Sequence, residues 1–259
     1  MTVRRIEGKI AMVTGGAAGI GRAISQRLAA EGATVVICDV DALGAHETKE
    51  LVSGPGTDHH HVELDVRHEE AWESALEIVR RRYGRLDVLV NNAGRPYRRA
   101  LPGSSWDDWQ DLMTTNAGGM FLGMKHGASA LAAAGGGAIV NISSAAALVG
   151  VPNMTTYSAA KGAVRAMSRA AAAEFAHARV RVNSIYPTSV PTAMLASDAE
   201  DTGVTTDEFA TAAAALSPLP GMASVDDVAA ATIYLASDEA QFVTGAEIAI
   251  DGGATSLIG

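Results

Sequence analysis

A regular alternation constrains this chain more than any other feature. Seven short apolar runs, each bounded by turn residues, are separated by longer stretches of helical periodicity. The runs are Ile10–Thr14, Thr34–Cys38, His60–Leu64, Leu86–Val90, Ala138–Ile142, Val180–Ile185 and Glu247–Ile250. They are mostly Val, Ile, Leu and Ala on both faces, which is the pattern of parallel strands covered on both sides. Between them lie helical patterns at Ile20–Glu31, Leu43–Val52, Glu69–Tyr83, Trp106–Ala133, Thr155–His177 and Asp226–Ser237. Strand, helix, strand repeated in this way predicts an α/β fold with a doubly wound parallel sheet.

No Pro/Ser linker and no repeat period divides the 259 residues, so a single domain spanning 1–259 is expected. The segment Thr188–Gly221 interrupts the alternation. It is rich in Thr, Ala, Asp and Pro, with one helical pattern at Thr206–Leu216. An insertion between a strand and the next helix reads as a lid over a cleft.

Composition excludes some functions. With 20 Lys+Arg against 29 Asp+Glu the net charge is −9, which argues against nucleic acid or an anionic membrane as partner. No charge falls between Gly127 and Ala160, yet Gly135, Gly136, Gly137, Asn141, Ser143, Ser144 and Pro152 break that stretch before it reaches spanning length. Met1–Gly8 lacks an apolar segment of signal-peptide length, and the lone Cys38 can form no internal disulfide. A cytoplasmic protein is expected. His59, His60 and His61 sit on a candidate strand where neighbours alternate faces, so they cannot converge on one ion and no metal is assigned.

The first strand runs into Thr14-Gly15-Gly16-Ala17-Ala18-Gly19-Ile20-Gly21 and then a helix. Glycines there allow a tight turn, close backbone approach to a pyrophosphate and close helix–strand packing, with the phosphates at the positive helix end. Asp39 follows the second strand, 18 residues after Gly21. Its carboxylate could accept from both ribose hydroxyls and would repel a 2′-phosphate, which points to NAD over NADP. The plainer reading is a cap on the next helix, a role Asp41 could fill equally.

Taken with Asn91-Asn92-Ala93-Gly94, Asn116, Asn141-Ile142-Ser143-Ser144, Tyr157-x-x-x-Lys161, Val182-Asn183 and Asp251-Gly252-Gly253, the chain resembles the short-chain dehydrogenase/reductase family over nearly its whole length. The resemblance implies a Rossmann domain with a seven-stranded parallel sheet flanked by helices. It implies catalytic roles for Asn116, Ser144, Tyr157 and Lys161. Tyr157 and Lys161 are four residues apart and share a helix face, where an ammonium is expected to lower the tyrosine pKa and ready it as general acid/base. Ser144 would bind the substrate oxygen. Asn116 would mark a helix kink serving a proton relay; the plainer alternative is a polar residue on a solvated face.

The resemblance also distributes the NAD contacts. Gly15, Ala18, Gly19, Ile20 and Gly21 would border the pyrophosphate, Asp65 and Val66 the adenine, and Asn92, Ala93 and Gly94 the ribose side. Tyr157 and Lys161 would hold the nicotinamide ribose, with Pro187, Val190 and Thr192 at the carboxamide. Asp65 has a second reading, as N-cap of the helix near His68. Thr188 stands where the family usually has glycine, and the run Pro187-Thr188-Ser189-Val190-x-Thr192 looks like the carveol-type branch, without that branch's insert near the second strand.

Ala146, Leu148, Val149 and Met154 are expected on an apolar pocket floor, with Ser144, Tyr157 and Thr188 also touching substrate. The expected reaction is hydride transfer between NAD and a secondary alcohol or ketone, the alcohol hydrophobic or alicyclic and terpenoid- or steroid-like. Rival readings are a 3-oxoacyl-carrier-protein reductase and a non-catalytic NAD-binding sensor or scaffold. Arg95, Arg98 and Arg99 could form a rim for an anionic substrate, or simply solvated and salt-bridged loop residues. The Ala-rich helical patterns, in a chain with 50 alanines, imply a homo-oligomer, by resemblance a tetramer.

Overall fold

The computed structural model describes residues 4–54 and 56–256. Met1–Val3 of the N-terminal reading, Pro55 and Leu257–Gly259 lie outside the described residues. Strand β1 (Ile10–Thr14) is buried at every position and therefore needs cover on both faces. Ala11 and Val13 face a core shared with α1 (Gly19–Ala30), α2 (Ala42–Val52) and α9 (Val225–Ala236). Ile10 and Met12 face a second core shared with α3 (Glu69–Tyr83), α5 (Gly119–Ala133) and α6 (Thr155–Phe175).

The other strands are β2 (Thr34–Asp39), β3 (His60–Glu63), β4 (Val88–Asn91), β5 (Gly137–Ile142), β6 (Val180–Pro187) and β7 (Glu247–Ile250). All pair in parallel, in the order β3-β2-β1-β4-β5-β6-β7. This is the expected seven-stranded doubly wound sheet. The order reverses between β1 and β4, so their following loops diverge and open a crevice at the carboxyl ends of the strands. Buried amides lock this region. Asn91 Nδ2 donates to Asn141 Oδ1 (2.8 Å) and Asn141 Nδ2 donates to Ser168 Oγ (2.8 Å), tying β4 and β5 to α6.

Two expected elements differ. The single helix Trp106–Ala133 is instead α4 (Trp106–Met113), a π turn at Thr114–Gly118, and α5. The Thr114 and Thr115 hydroxyls donate back to Gln110 O and Asp111 O, while Asn116 is held from outside the helix. The segment 188–221 carries two helices, not one: α7 (Ala193–Thr202) precedes α8 (Thr206–Ala214). Gly203, with φ +73°, ends α7, and the Thr205–Glu208 capping box starts α8. Among the described residues, no helix is long and apolar enough to cross a membrane.

Candidate active site

At the β1 end the chain turns sharply at Gly15, where φ is +64°. A Cβ on Gly21 would stand 2.0 Å from Gly15 O, so α1 can pack this close to the turn only through glycine. Asn92 Nδ2 donates to Thr14 O and Gly15 O (3.0 Å each), and the Thr14 hydroxyl accepts from Asn92 N and Ala93 N. Asn92 and Ala93 thus brace the turn, and Asn92 and Gly94 also face the cavity below it. The N-cap of α1 is Ala18, which offers no side-chain acceptor, so the first N–H groups of the helix are left for an anion.

Asp39 closes this end. One carboxylate oxygen accepts from Ala17 N and the other from Asp41 N, both at 3.0 Å. The helix cap is Asp41, whose carboxylate accepts from Gly44 N at 3.0 Å. The Arg22 guanidinium, on the same wall, is engaged by Thr48 and Glu47. Asp65 does not cap α3, because His68 holds that position. Arg67 pairs with Asp65 and keeps its carboxyl below the usual range. Val66 packs on Gly119, where any Cβ would collide with it.

The crevice deepens into a cavity of about 480 Å³. Ser144, Tyr157 and Lys161 meet in its wall, with Ile20, Asn92, Gly94, Pro187, Val190 and Thr192 toward the glycine turn. Ala146, Met154 and Thr188 line the remainder. Leu148 and Val149 do not line it. After the short helical turn Ala145–Ala147 the chain swings outward, and Val151–Met154 take that place. The backbone explains which serine faces in. Ser143 Oγ donates to Lys161 O (3.1 Å) and pins α6 to β5, whereas Ser144 continues into the cavity and accepts from Ala146 N.

Tyr157 and Lys161 are both buried. Burial pushes the Tyr157 phenol up to about 12, with the Ser144 hydroxyl beside it pulling partly down and the Asp198 charge adding to the rise. This reverses the expected lowering. The Lys161 ammonium donates to Ile142 O (3.0 Å) and stands 5.8 Å from the Tyr157 ring centre, and burial brings its own pKa down to about 8. Asn116 is fully buried in the π turn, not on a solvated face. Its Oδ1 accepts from Arg95 N and its Nδ2 donates to Arg95 O, both at 2.9 Å.

The three loop arginines separate. Arg95 and Arg99 pair with Asp111 and Asp108 of α4, as the salt-bridge reading expects, although Arg95 also borders the cavity. Arg98 enters the cavity opposite Asp198 of α7, with its guanidinium over the Phe209 ring. Nothing in the sequence announced Asp198. Of the three histidines, His59 is buried and its Nδ1 accepts from Val35 N.

Comparison with known proteins places these features. Residues 15–255 match the family model described as enoyl-(acyl carrier protein) reductase. The chain is 39% identical to trans-4-hydroxycyclohexanecarboxylate dehydrogenase of Sinomonas cyclohexanicum, over 97% of this chain and 95% of that one. It is 36% identical to cyclopentanol dehydrogenase of Comamonas sp., over 97% and 99%. Among solved structures, carveol dehydrogenase from Mycobacterium avium in complex with NAD superposes with a TM-score of 0.93 at 32% identity, covering 98% of this chain and 99% of that one.

Proposed function

The chain belongs to the short-chain dehydrogenase/reductase family, and on that premise we propose that it transfers a hydride between NAD and a ring-bearing secondary alcohol or its ketone. The observation that carries this reading is the meeting of Ser144, Tyr157 and Lys161 in one apolar cavity beneath the glycine turn. The fit to a dinucleotide rests on the uncapped α1 N-terminus, the turn braced by Asn92, and the Asp39 carboxylate at the ribose end. Asp39 favours NAD, since a 2′-phosphate would meet its charge.

When bound, the nicotinamide accepts or gives the hydride. This chain handles the proton. In ketone reduction Tyr157, a neutral phenol at pH 7, gives its proton to the ketone oxygen; in alcohol oxidation its ionised form, the phenolate, takes the hydroxyl proton as the alcohol carbon loses its hydride. Ser144 holds the same oxygen. Lys161 carries positive charge beside the phenolate that ketone reduction leaves on Tyr157, and the Asn116 turn holds the backbone of Arg95, with Gly94 between Asn116 and the Lys161 ammonium. The apolar walls at Ala146, Met154 and Leu195 suit a ring substrate, as do the names of two relatives.

The segment 188–221 acts as the lid within a single-domain chain. Exposed Trp106 and Phe121 on α4 and α5 support a homo-oligomer through those helices, and the cytoplasm is the expected compartment. The test is absorbance at the NADH band with cyclopentanol, cyclohexanol and larger ring alcohols, run with NAD and NADP in parallel. Turnover preferring NAD is expected. Turnover of ring ketones only with NADPH overturns the cofactor reading and moves the chain toward the 3-oxoacyl-carrier-protein reductase alternative.

A further inference from the structure

The cavity holds a polar pair that the hydride-transfer reading does not use. Arg98 reaches in from the loop after β4, and Asp198 reaches in from α7. Arg98 Nε and Asp198 Oδ1 are 3.8 Å apart, too far for a hydrogen bond. Both atoms are buried, and among the described residues neither has a hydrogen-bond partner. Their opposite charges attract across the gap, but a buried donor and a buried acceptor without a hydrogen bond cost stability. The guanidinium is nevertheless fixed in place. Its face lies over the Phe209 ring, with the centre 5.3 Å away, and its Nη2 donates weakly to Met154 Sδ at 3.2 Å. Met154 in turn packs with Tyr157, so the pair stands one side chain beyond the phenol.

We propose that Arg98 and Asp198 together bind a second hydroxyl on the substrate, so that the preferred substrate is a ring diol and not a simple ring alcohol. The proposal rests on the hydride-transfer reading and names its substrate class. A hydroxyl both accepts and donates. Both atoms are closed to solvent as the pair stands, so the two side chains must part slightly; the hydroxyl oxygen then lies about 2.8–3.0 Å from each, accepting from Arg98 Nε and donating to Asp198 Oδ1, which satisfies both. A purely apolar ring leaves them unpaired. A carboxylate satisfies Arg98 but brings like charge against Asp198, whose own carboxyl is already pushed up by burial, with Arg98 pulling partly down and Asp201 adding to the rise.

The test uses the full-length enzyme with NAD and three substrates of one ring size: cyclohexanol, cyclohexane-1,4-diol and 4-hydroxycyclohexanecarboxylate. The diol is expected to exceed cyclohexanol in kcat/KM by roughly tenfold or more, because sites built to hydrogen-bond a hydroxyl discriminate against analogues lacking it. That ratio should fall toward one in Arg98→Leu and in Asp198→Leu, and largely return in Asp198→Asn, which keeps an acceptor. If Arg98→Leu fails to fold, Asp198→Leu reads the same ratio. A ratio near one in the parent overturns the proposal. So does a preference for the hydroxycarboxylate that grows in Asp198→Leu, which would make Arg98 an anion site. If none of the three is turned over, the hydride-transfer reading has failed, and calorimetry with the diol decides the pair separately. Binding weakened roughly tenfold by Arg98→Leu supports it. Equal binding, or none to the parent, overturns it.

Discussion

The nucleotide end and the substrate end of the crevice are finished differently. Around the glycine turn nearly every polar side chain is tied to backbone: Thr14 to Asn92 and Ala93, Asn92 to Thr14 and Gly15, Asp39 to Ala17 and Asp41. At the substrate end Arg98 Nε and Asp198 Oδ1 face each other as opposite charges but have no hydrogen-bond partner, and α7 and α8 leave most of their residues exposed. A cofactor common to many reactions can be met by a preformed cradle whose side chains are already bonded, with only the α1 N–H groups left open. A particular substrate is met by groups that it completes itself.

Tyr157 stands where the two ends join, so removing its hydroxyl should separate them most sharply. Tyr157→Phe is expected to cost about a thousandfold in kcat while leaving NAD affinity and thermal stability near the parent values, because the ring still packs. Steady-state kinetics with calorimetric NAD titration checks this, and near-parental turnover would break the assignment. In the parent, pH should act differently on the two directions of the reaction. With the phenol pushed up to about 12, alcohol oxidation needs the scarce ionised form, and its rate should still be climbing at about pH 9. Ketone reduction uses the abundant neutral phenol and should not climb.

Gly21 probes how rigid the cradle is. A methyl there would meet Gly15 O at 2.0 Å, backbone against backbone with no side chain free to yield. Gly21→Ala should therefore lower unfolding free energy by roughly 3 kcal/mol. A change under about 1 kcal/mol in urea melts would mean the turn relaxes easily, and the contrast between the ends would weaken. Asp39 comes next in size. Asp39→Ala removes a charge and the two hydrogen bonds that shape the ribose end, and should shift the NAD/NADP preference in kcat/KM by roughly ten- to a hundredfold toward NADP. An unchanged ratio would mean Asp39 serves only Ala17 and Asp41.

The same contrast governs what could be read from the residues alone. A strand buried on both faces announces itself by composition, so β1 begins and ends where expected; β7, half-buried at the edge of the sheet, matches its expected bounds through its short apolar run between turn residues. The start of β4 slipped from Leu86 to Val88, because Asp87 is occupied by Ile10 N and Arg85 before the strand pairs regularly. Motif residues at the nucleotide end carry local spacing and were legible. The helix break at Asn116 is where the resemblance put a kink, but its π form was not legible, since its cause is tertiary: the Asn116 amide reaches the Arg95 backbone. Nor was the direction of the Tyr157 shift. The i, i+4 spacing places Lys161 on the right face but cannot show its ammonium turned to Ile142 O, with burial dominating. Asp198 lies in a polar stretch where α7 itself went unread, and only the folded chain sets it against Arg98.

The smallest expected effect concerns motion of segment 188–221. Its two ends are held. Thr192 packs on Gly19, while Ser217 Oγ donates to Asp251 O and Leu219 N donates to Gly252 O. Asp251 is itself fixed by Gly253 N, Thr255 N and the Thr255 hydroxyl. Between these anchors α7 buries little beyond Leu195 and Ala199, and α8 only Ala213. Few buried contacts between two fixed ends make a local opening unit. Amides of 193–214 should exchange faster than those of β1, β4 and β5 in the free protein, while those flanking Gly252 stay protected. Adding NAD with a ring alcohol product or analogue should slow 193–214 by roughly tenfold, since closure adds the substrate's contacts to Leu195, Asp198 and Phe209. Protection of α7 and α8 equal to the sheet before any ligand is added would break the comparison, because the substrate end would then be as preformed as the cradle.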